Sequence, residues 1–77
     1  MRARVTITLK PGVLDPQGAA VAAALSSLGF SSVEGVRQGK VLDLDLAPDT
    51  TEAEVREMCE RLLANTVIET YEIDLGP

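Results

Sequence analysis

Histidine is absent from the chain, and that absence removes more chemistry than any other feature of it. Without imidazole there is no side chain that titrates near neutrality by default, no Ser-His or Cys-His pair, and no histidine metal ligand. Cysteine is nearly absent too. Cys59 stands alone, so no internal disulfide can form, which fits a reducing, cytosolic compartment. The only aromatics are Phe30 and Tyr71, too few for the platforms on which RNA-binding sheets stack bases. Basic residues are outnumbered, seven against twelve acids, and a net charge of −5 repels phosphate backbones at long range. No nucleic-acid partner is expected. Long apolar runs are missing as well: nothing approaches the roughly 20 apolar residues of a membrane helix. Arg4, Thr6 and Thr8 interrupt the stretch where a secretory signal would carry its apolar segment. The expectation is a soluble, cytoplasmic protein without a membrane partner.

What is present reads as one domain over residues 1–77. A chain this short buries only about 60% of the surface its unfolded form exposes. With no disulfide framework, self-association is the remaining way to enlarge its core.

Residues 3–10 alternate strictly, with Val5, Ile7 and Leu9 on one side and Arg4, Thr6, Thr8 and Lys10 on the other, which predicts a half-buried strand. Asp15-Pro16 opens a helix over 16–28, aspartate as N-cap and proline at the first helical position. Its apolar face is Val21, Leu25 and Leu28, and Gly29 with Phe30 supplies a Schellman ending. Residues 32–37 and 41–46 read as the two strands of a hairpin turning at Gln38-Gly39, although glutamine suits a tight primed turn poorly. Thr51 to Glu54 forms a capping box for a second helix, whose stripe is Val55, Met58, Cys59, Leu62 and Leu63 and which ends near Ala64-Asn65. Glu52–Arg56 and Glu57–Arg61 are spaced to pair on its solvated face. A last strand is expected over 67–75. The order β-α-β-β-α-β predicts an α+β, ferredoxin-like sandwich: a four-stranded antiparallel sheet, order 4-1-3-2, with both helices on one face.

On the open face of such a sheet Arg4, Thr6, Thr8 and Lys10 lie between Asp43 and Asp45 on one side and Thr70, Glu72 and Asp74 on the other. Basic beside acidic is what cross-strand pairing favours. That face reads either as solvated and charge-compensated or as a partner surface. Cys59 sits on an apolar stripe with no histidine to activate it, and reads as a buried structural thiol. Lys10 to Gly18 superficially suggests a phosphate loop, but the spacing is wrong and Asp15 would repel an anion. A metal-carrying version of the fold needs paired cysteines in the Pro11–Asp15 loop, which has none. Val13 and Leu14, apolar in a connection, are expected to pack beneath the loop or into a partner. Arg37 and Lys40 read as edge charges that block aggregation, or as a docking point for an acidic partner. Tyr71 reads as a core or interface aromatic. No residue is assigned to catalysis, to a metal or to a cofactor.

Three stretches together resemble the PurS family: LKPGVLDPQGAA (9–20), VRQGK (36–40), and MCERLLAN (58–65) followed by VIETYEI (67–73). The resemblance covers almost the whole chain. Thr66 departs from it, standing where the family commonly has proline. The resemblance implies the small, non-catalytic subunit of phosphoribosylformylglycinamidine synthase, acting in purine biosynthesis beside an ATP-dependent synthetase subunit (PurL) and a glutaminase subunit (PurQ). It implies that the complex uses ATP and Mg while this subunit binds no cofactor. It also implies homodimers or tetramers and a part in assembly and ammonia transfer. On this footing the subunit-facing surface is expected on the 9–18 connection, the 36–40 turn and the last strand, at Lys10, Val13, Leu14, Asp15, Gln17, Arg37, Lys40 and Tyr71. An alternative class is a stand-alone ferredoxin-like regulatory module that binds a small effector at a dimer interface.

Overall fold

The alternation of residues 3–9 does what its period dictates. In the computed structural model, which describes residues 1–76, β1 (Arg2–Leu9) sends Ala3, Val5 and Ile7 into the core and Arg2 and Arg4 to solvent. It is the centre of a three-stranded antiparallel sheet, with β2 (Lys40–Asp45) on one side and β3 (Glu69–Gly76) on the other. The expected placing of the first strand between the third and the last is thus found. So is the charge pattern of the open face. Arg4 faces Asp43 on one neighbour and Asp74 on the other, its Nε 2.9 Å from the Asp43 carboxylate. Arg2 meets Asp45, and the Thr8 and Thr70 hydroxyls lie 3.2 Å apart.

The inner face is covered by α2 (Glu52–Met58), whose last turn widens into a π-turn over Cys59–Leu63. Thr51 caps α2 as expected, its hydroxyl accepting from the Glu54 N–H, but the reciprocal bond from Glu54 to the Thr51 N–H is not made among the described residues. Both i,i+4 ion pairs form, Glu52–Arg56 and Glu57–Arg61. The wide turn, closed by Ala64 N–H donating to the Cys59 carbonyl, shifts the buried stripe to Val55, Cys59 and Leu63. Met58, at the end of α2, and Leu62, within the widened turn, were expected on that stripe and face outward instead. The core is accordingly small: Ala3, Val5, Ile7, Val55, Cys59 and Ala64, ringed by half-buried side chains of β2 and β3.

Two expectations fail together. Residues 32–37 form no strand and make no backbone–backbone hydrogen bond among the described residues, so the sheet has three strands rather than four. And α1 (Pro16–Ser27) has no extensive packing on a strand or on α2 among the described residues, so α2 alone covers the sheet. The cause is local. A tight hairpin at Gln38-Gly39 needs left-handed backbone, and among the described residues positive φ angles belong only to Gly12 and Gly29. The chain therefore runs on through 38–39 without turning, and α1 with the segment returning from it projects as an arm. The molecule measures 50 × 26 × 14 Å, with a radius of gyration of 15.8 Å against about 11–12 Å for a compact chain of this length. Within the arm the sequence signals hold. Asp15 caps α1, and the helix ends in a Schellman motif with Gly29 N–H donating to Ser26 and Phe30 N–H to Leu25. The last strand begins two residues late, at Glu69, because Asn65 holds residues 65–68 in a turn.

Candidate interaction site at the root of the arm

Where α1 leaves the sheet, one carboxylate ties three segments together. Asp15 is a loop residue yet only 7% exposed. Its Oδ1 accepts from the Gly18 N–H at 2.8 Å, the bond of a helix N-cap, and its Oδ2 accepts from the Gln38 N–H at 2.7 Å, twenty-three residues on. Those two bonds, the Gln38 one first, hold its pKa below the ordinary carboxylate range, against the opposing effect of burial. With both oxygens engaged and its proton affinity lowered, Asp15 is a strut and a poor general base.

The rest of the root is built around it. Gln17 and Gln38 join through their side-chain amides at 2.8 Å. The Arg37 guanidinium donates to the Val13 carbonyl at 3.0 Å and to the Lys10 carbonyl at 3.2 Å, so the fork binds both ends of the 10–13 loop. Lys10 N–H donates to Ile68, and the Lys40 ammonium lies 3.9 Å from Glu69. Gly18 closes the packing: a Cβ there would stand 2.3 Å from the Val36 carbonyl oxygen, so only glycine lets helix and returning segment approach this closely. A cleft of about 350 Å³ opens beside the knot, lined by Ile7, Leu9, Asp15, Pro16, Gln17, Gln38, Gly39, Lys40 and Glu69.

Seven of the eight residues expected to face a partner thus meet in one place. Lys10, Asp15, Gln17, Arg37 and Lys40 build or border the knot, Val13 is half-buried against it, and Leu14 stands 80% exposed at its rim. Leu14 does not tuck beneath the loop. Arg37 is engaged with loop carbonyls and Lys40 with Glu69, so neither is a free edge charge. Tyr71 lies elsewhere. It pairs in register with Ile7 and packs half-buried against the core, its phenol pushed up chiefly by the neighbouring Glu60 carboxylate. Cys59 is fully buried, and that burial raises its thiol pKa, as a structural cysteine requires. Gly18, Val36 and the Gln38 backbone escaped the sequence reading, because nothing local in a sequence announces a contact between residues eighteen apart. Asn65 and Glu69 had a weak signal in the Asn-Thr turn. Asn65 Oδ1 accepts from Val67 N–H, and Glu69 Oε1 accepts from Asn65 N–H.

No group of three or more metal-ligating side chains occurs among the described residues, and every buried side-chain polar atom among them has a partner. The knot can bind and brace. It offers no nucleophile beside a base.

A family profile described as PurS, phosphoribosylformylglycinamidine (FGAM) synthase, matches residues 2–77. The chain belongs to the PurS family. A phosphoribosylformylglycinamidine synthase subunit PurS of Synechocystis sp. is 51% identical over 71 residues, which are 88% of this chain and 71% of that one. PurS of B. subtilis, solved in a C2 crystal form, superposes with a TM-score of 0.90 at 44% identity over 99% of this chain and 98% of its own, so the superposition takes in the arm as well as the sheet. A chain of the PurLQS structure from Thermotoga maritima matches with a TM-score of 0.82 at 28% identity, covering 95% of this chain and 93% of that one. The regulatory-module alternative finds no support in these PurS-family matches. No helix among the described residues is long and apolar enough to cross a membrane.

Proposed function

We propose that this chain is the small, non-catalytic subunit of phosphoribosylformylglycinamidine synthase in purine biosynthesis, holding a PurL-type synthetase and a PurQ-type glutaminase in register. The observation that carries this reading is the match of residues 2–77 to the PurS family, one of whose members forms part of a PurLQS structure. The chemistry of the chain agrees. Its buried thiol lacks a base, and its buried carboxylate is consumed by two backbone donors.

The contribution is positional. Ammonia released from glutamine in one active site has to reach another without escaping into water, so two large proteins must be kept in a fixed relation. A rigid knot with an exposed apolar rim at Leu14 suits such a brace. The partner-facing surface in this reading is the root of the arm, with Lys10, Val13, Leu14, Asp15, Gln17, Arg37 and Lys40, together with β3 around Tyr71. ATP and Mg belong to the larger subunits, and the assembly works in the cytoplasm. In the assembled protein the place beside β2 is filled, completing the four-stranded ferredoxin-like sheet that the sequence describes.

The test is reconstitution. Purified chain, mixed with matching synthetase and glutaminase in the presence of glutamine and ADP, is expected to co-elute with them on size exclusion. Its omission should reduce glutamine-dependent synthesis far more than ammonia-dependent synthesis. Equal loss of both activities, or full glutamine-dependent rate without it, would refute the coupling role.

A further inference from the structure

β3 has β1 on one side, and its other edge pairs with nothing among the described residues. The ladder tells which backbone groups face that open edge. Lys10 N–H donates to the Ile68 carbonyl, and the same register continues through Thr8 with Thr70, Thr6 with Glu72 and Arg4 with Asp74. In an antiparallel pair, residues that exchange backbone bonds alternate with residues that do not. Thr70, Glu72 and Asp74 therefore bond to β1, and the N–H and C=O groups of Tyr71, Ile73 and Leu75 point away from it. No turn, loop or cap takes up those groups among the described residues. Below them the Asn65 carbonyl accepts from Glu69 N–H at 2.7 Å, so the open run begins at Tyr71.

The edge lacks the guards that usually close a free strand. Residues 69–75 hold no proline and no lysine, and their register with β1 runs without a bulge. The charges of β3 are all acidic. Glu72 and Asp74 stand exposed on the open face of the sheet, and neither lies in an ion pair among the described residues. On β2, by contrast, Asp43 and Asp45 each hold an arginine. Arg4 faces Asp74 across the register but gives its fork to Asp43, at 2.9 and 3.3 Å. The other face of β3 is apolar, with Tyr71, Ile73 and Leu75 half-buried against the core.

We propose that the outer edge of β3 takes up an extended segment of a larger synthase subunit, one alternating lysine or arginine with apolar residues, as an added strand of the sheet. The bases of that segment meet Glu72 and Asp74 on the open face, and its apolar residues continue the inner face beside Tyr71, Ile73 and Leu75. The outward N–H and C=O groups of those three residues supply the backbone bonds. A second copy of β3 fits this edge badly. Antiparallel pairing about Ile73 sets Glu72 opposite Asp74 on both sides of the centre, like charge against like. The charge of the edge thus turns away its own kind and selects a basic strand. The owner of that strand rests on the synthase reading, whereas the chemistry of the edge does not.

Residue-resolved amide hydrogen exchange tests the edge directly. Without the larger subunits, the Thr70, Glu72 and Asp74 amides are expected to exchange slowly, and those of Tyr71, Ile73 and Leu75 at least roughly 100-fold faster. In the complex reconstituted with synthetase and glutaminase, the fast set is expected to slow at least roughly 10-fold. An assembled complex in which those three amides exchange as before overturns the proposal and leaves the synthase reading standing. A chain that never joins the complex overturns the synthase reading, and a model peptide then decides the edge. The probe is a short peptide alternating lysine with valine, compared with one alternating glutamate with valine. The lysine peptide is expected to shift the amide resonances of Tyr71, Ile73 and Leu75, and Glu72→Lys, a change at an exposed position, to weaken its binding roughly 3- to 10-fold. Equal shifts with both peptides, none with either, or an affinity that Glu72→Lys leaves unchanged would overturn the proposal.

Discussion

Val55 and Val21 are the same side chain on two helices of one small protein, and they meet opposite fates. Val55 is fully buried between α2 and the sheet, whereas Val21 is 40% exposed on α1. The half of the molecule made of β1, α2 and β3 finishes its own core. The other half, α1 with the segment after it, has the sequence of a core element and lacks a surface to cover. The contrast teaches that hydrophobic periodicity states which face of an element must be buried and is silent on which chain does the burying.

The sharpest way to test that division is to cut into both halves. Ile7 is the largest fully buried side chain, at the centre of the sheet. Truncation to alanine leaves a cavity among β1, α2 and β3, and Ile7→Ala should cost about 2–5 kcal/mol in urea unfolding. Val21→Ala removes a side chain that a single chain leaves partly wet, so at concentrations well below dimer dissociation its cost should be within ~0.5 kcal/mol. At high concentration the Val21→Ala cost should grow if the arm is covered by another copy. Equal costs for the two substitutions at every concentration would erase the distinction between the halves.

The same division decides what could be read in advance. Much that neighbours in sequence govern was legible: the alternation of β1, the Asp15 and Thr51 caps, and the Schellman ending at Gly29. The resemblance carried by GVLDPQG, VRQGK and LLAN further gathered seven future neighbours at the arm root before any contact between them was visible. What escaped depends on one connection. Whether Gln38-Gly39 turns or runs straight is settled by a few kcal/mol of left-handed backbone against the Asp15–Gln38 bond, which joins residues far apart in sequence. The widened turn at Cys59–Leu63 was likewise invisible, because no residue there forbids an ordinary α-turn.

Asp15 joins the two halves, so its effect should be of middle size and should depend on pH. Asparagine caps a helix about as well as aspartate. Asp15→Asn therefore keeps an acceptor for Gly18 N–H but turns an amide N–H₂ toward the Gln38 N–H, donor against donor. The melting temperature should fall by on the order of 5 °C near neutrality. The carboxylate has a lower pKa folded than unfolded, so its stabilisation is fully present above the ordinary value near 3.8 and is lost as pH falls through the depressed folded value. The gap between wild type and variant should narrow as pH falls below the ordinary carboxylate value near 3.8. Asp43, also held low by Arg4, weakens in acid in both proteins and leaves the difference intact. A gap that does not change with pH would assign the effect to packing instead of charge.

The smallest effect is expected at Thr66, in the turn through which the self-sufficient half enters β3. Thr66 occupies the second position of the turn that Ile68 N–H closes onto the Asn65 carbonyl at 3.0 Å. Proline is favoured at that position, where its fixed φ matches the turn. The Thr66 N–H makes no hydrogen bond among the described residues, so the missing donor removes no bond of this turn. Asn65, which would precede the proline, has then to hold an extended backbone. Thr66→Pro should then act almost wholly on the unfolded chain, narrowing its conformations and raising stability by about 0.4–1 kcal/mol. Thermal melts of the two proteins at matched concentration read this as a gain of a few degrees. A loss in its place would mean that the backbone entering β3 is set by the knot at Lys10 and Ile68, with the Asn65 turn forced to follow.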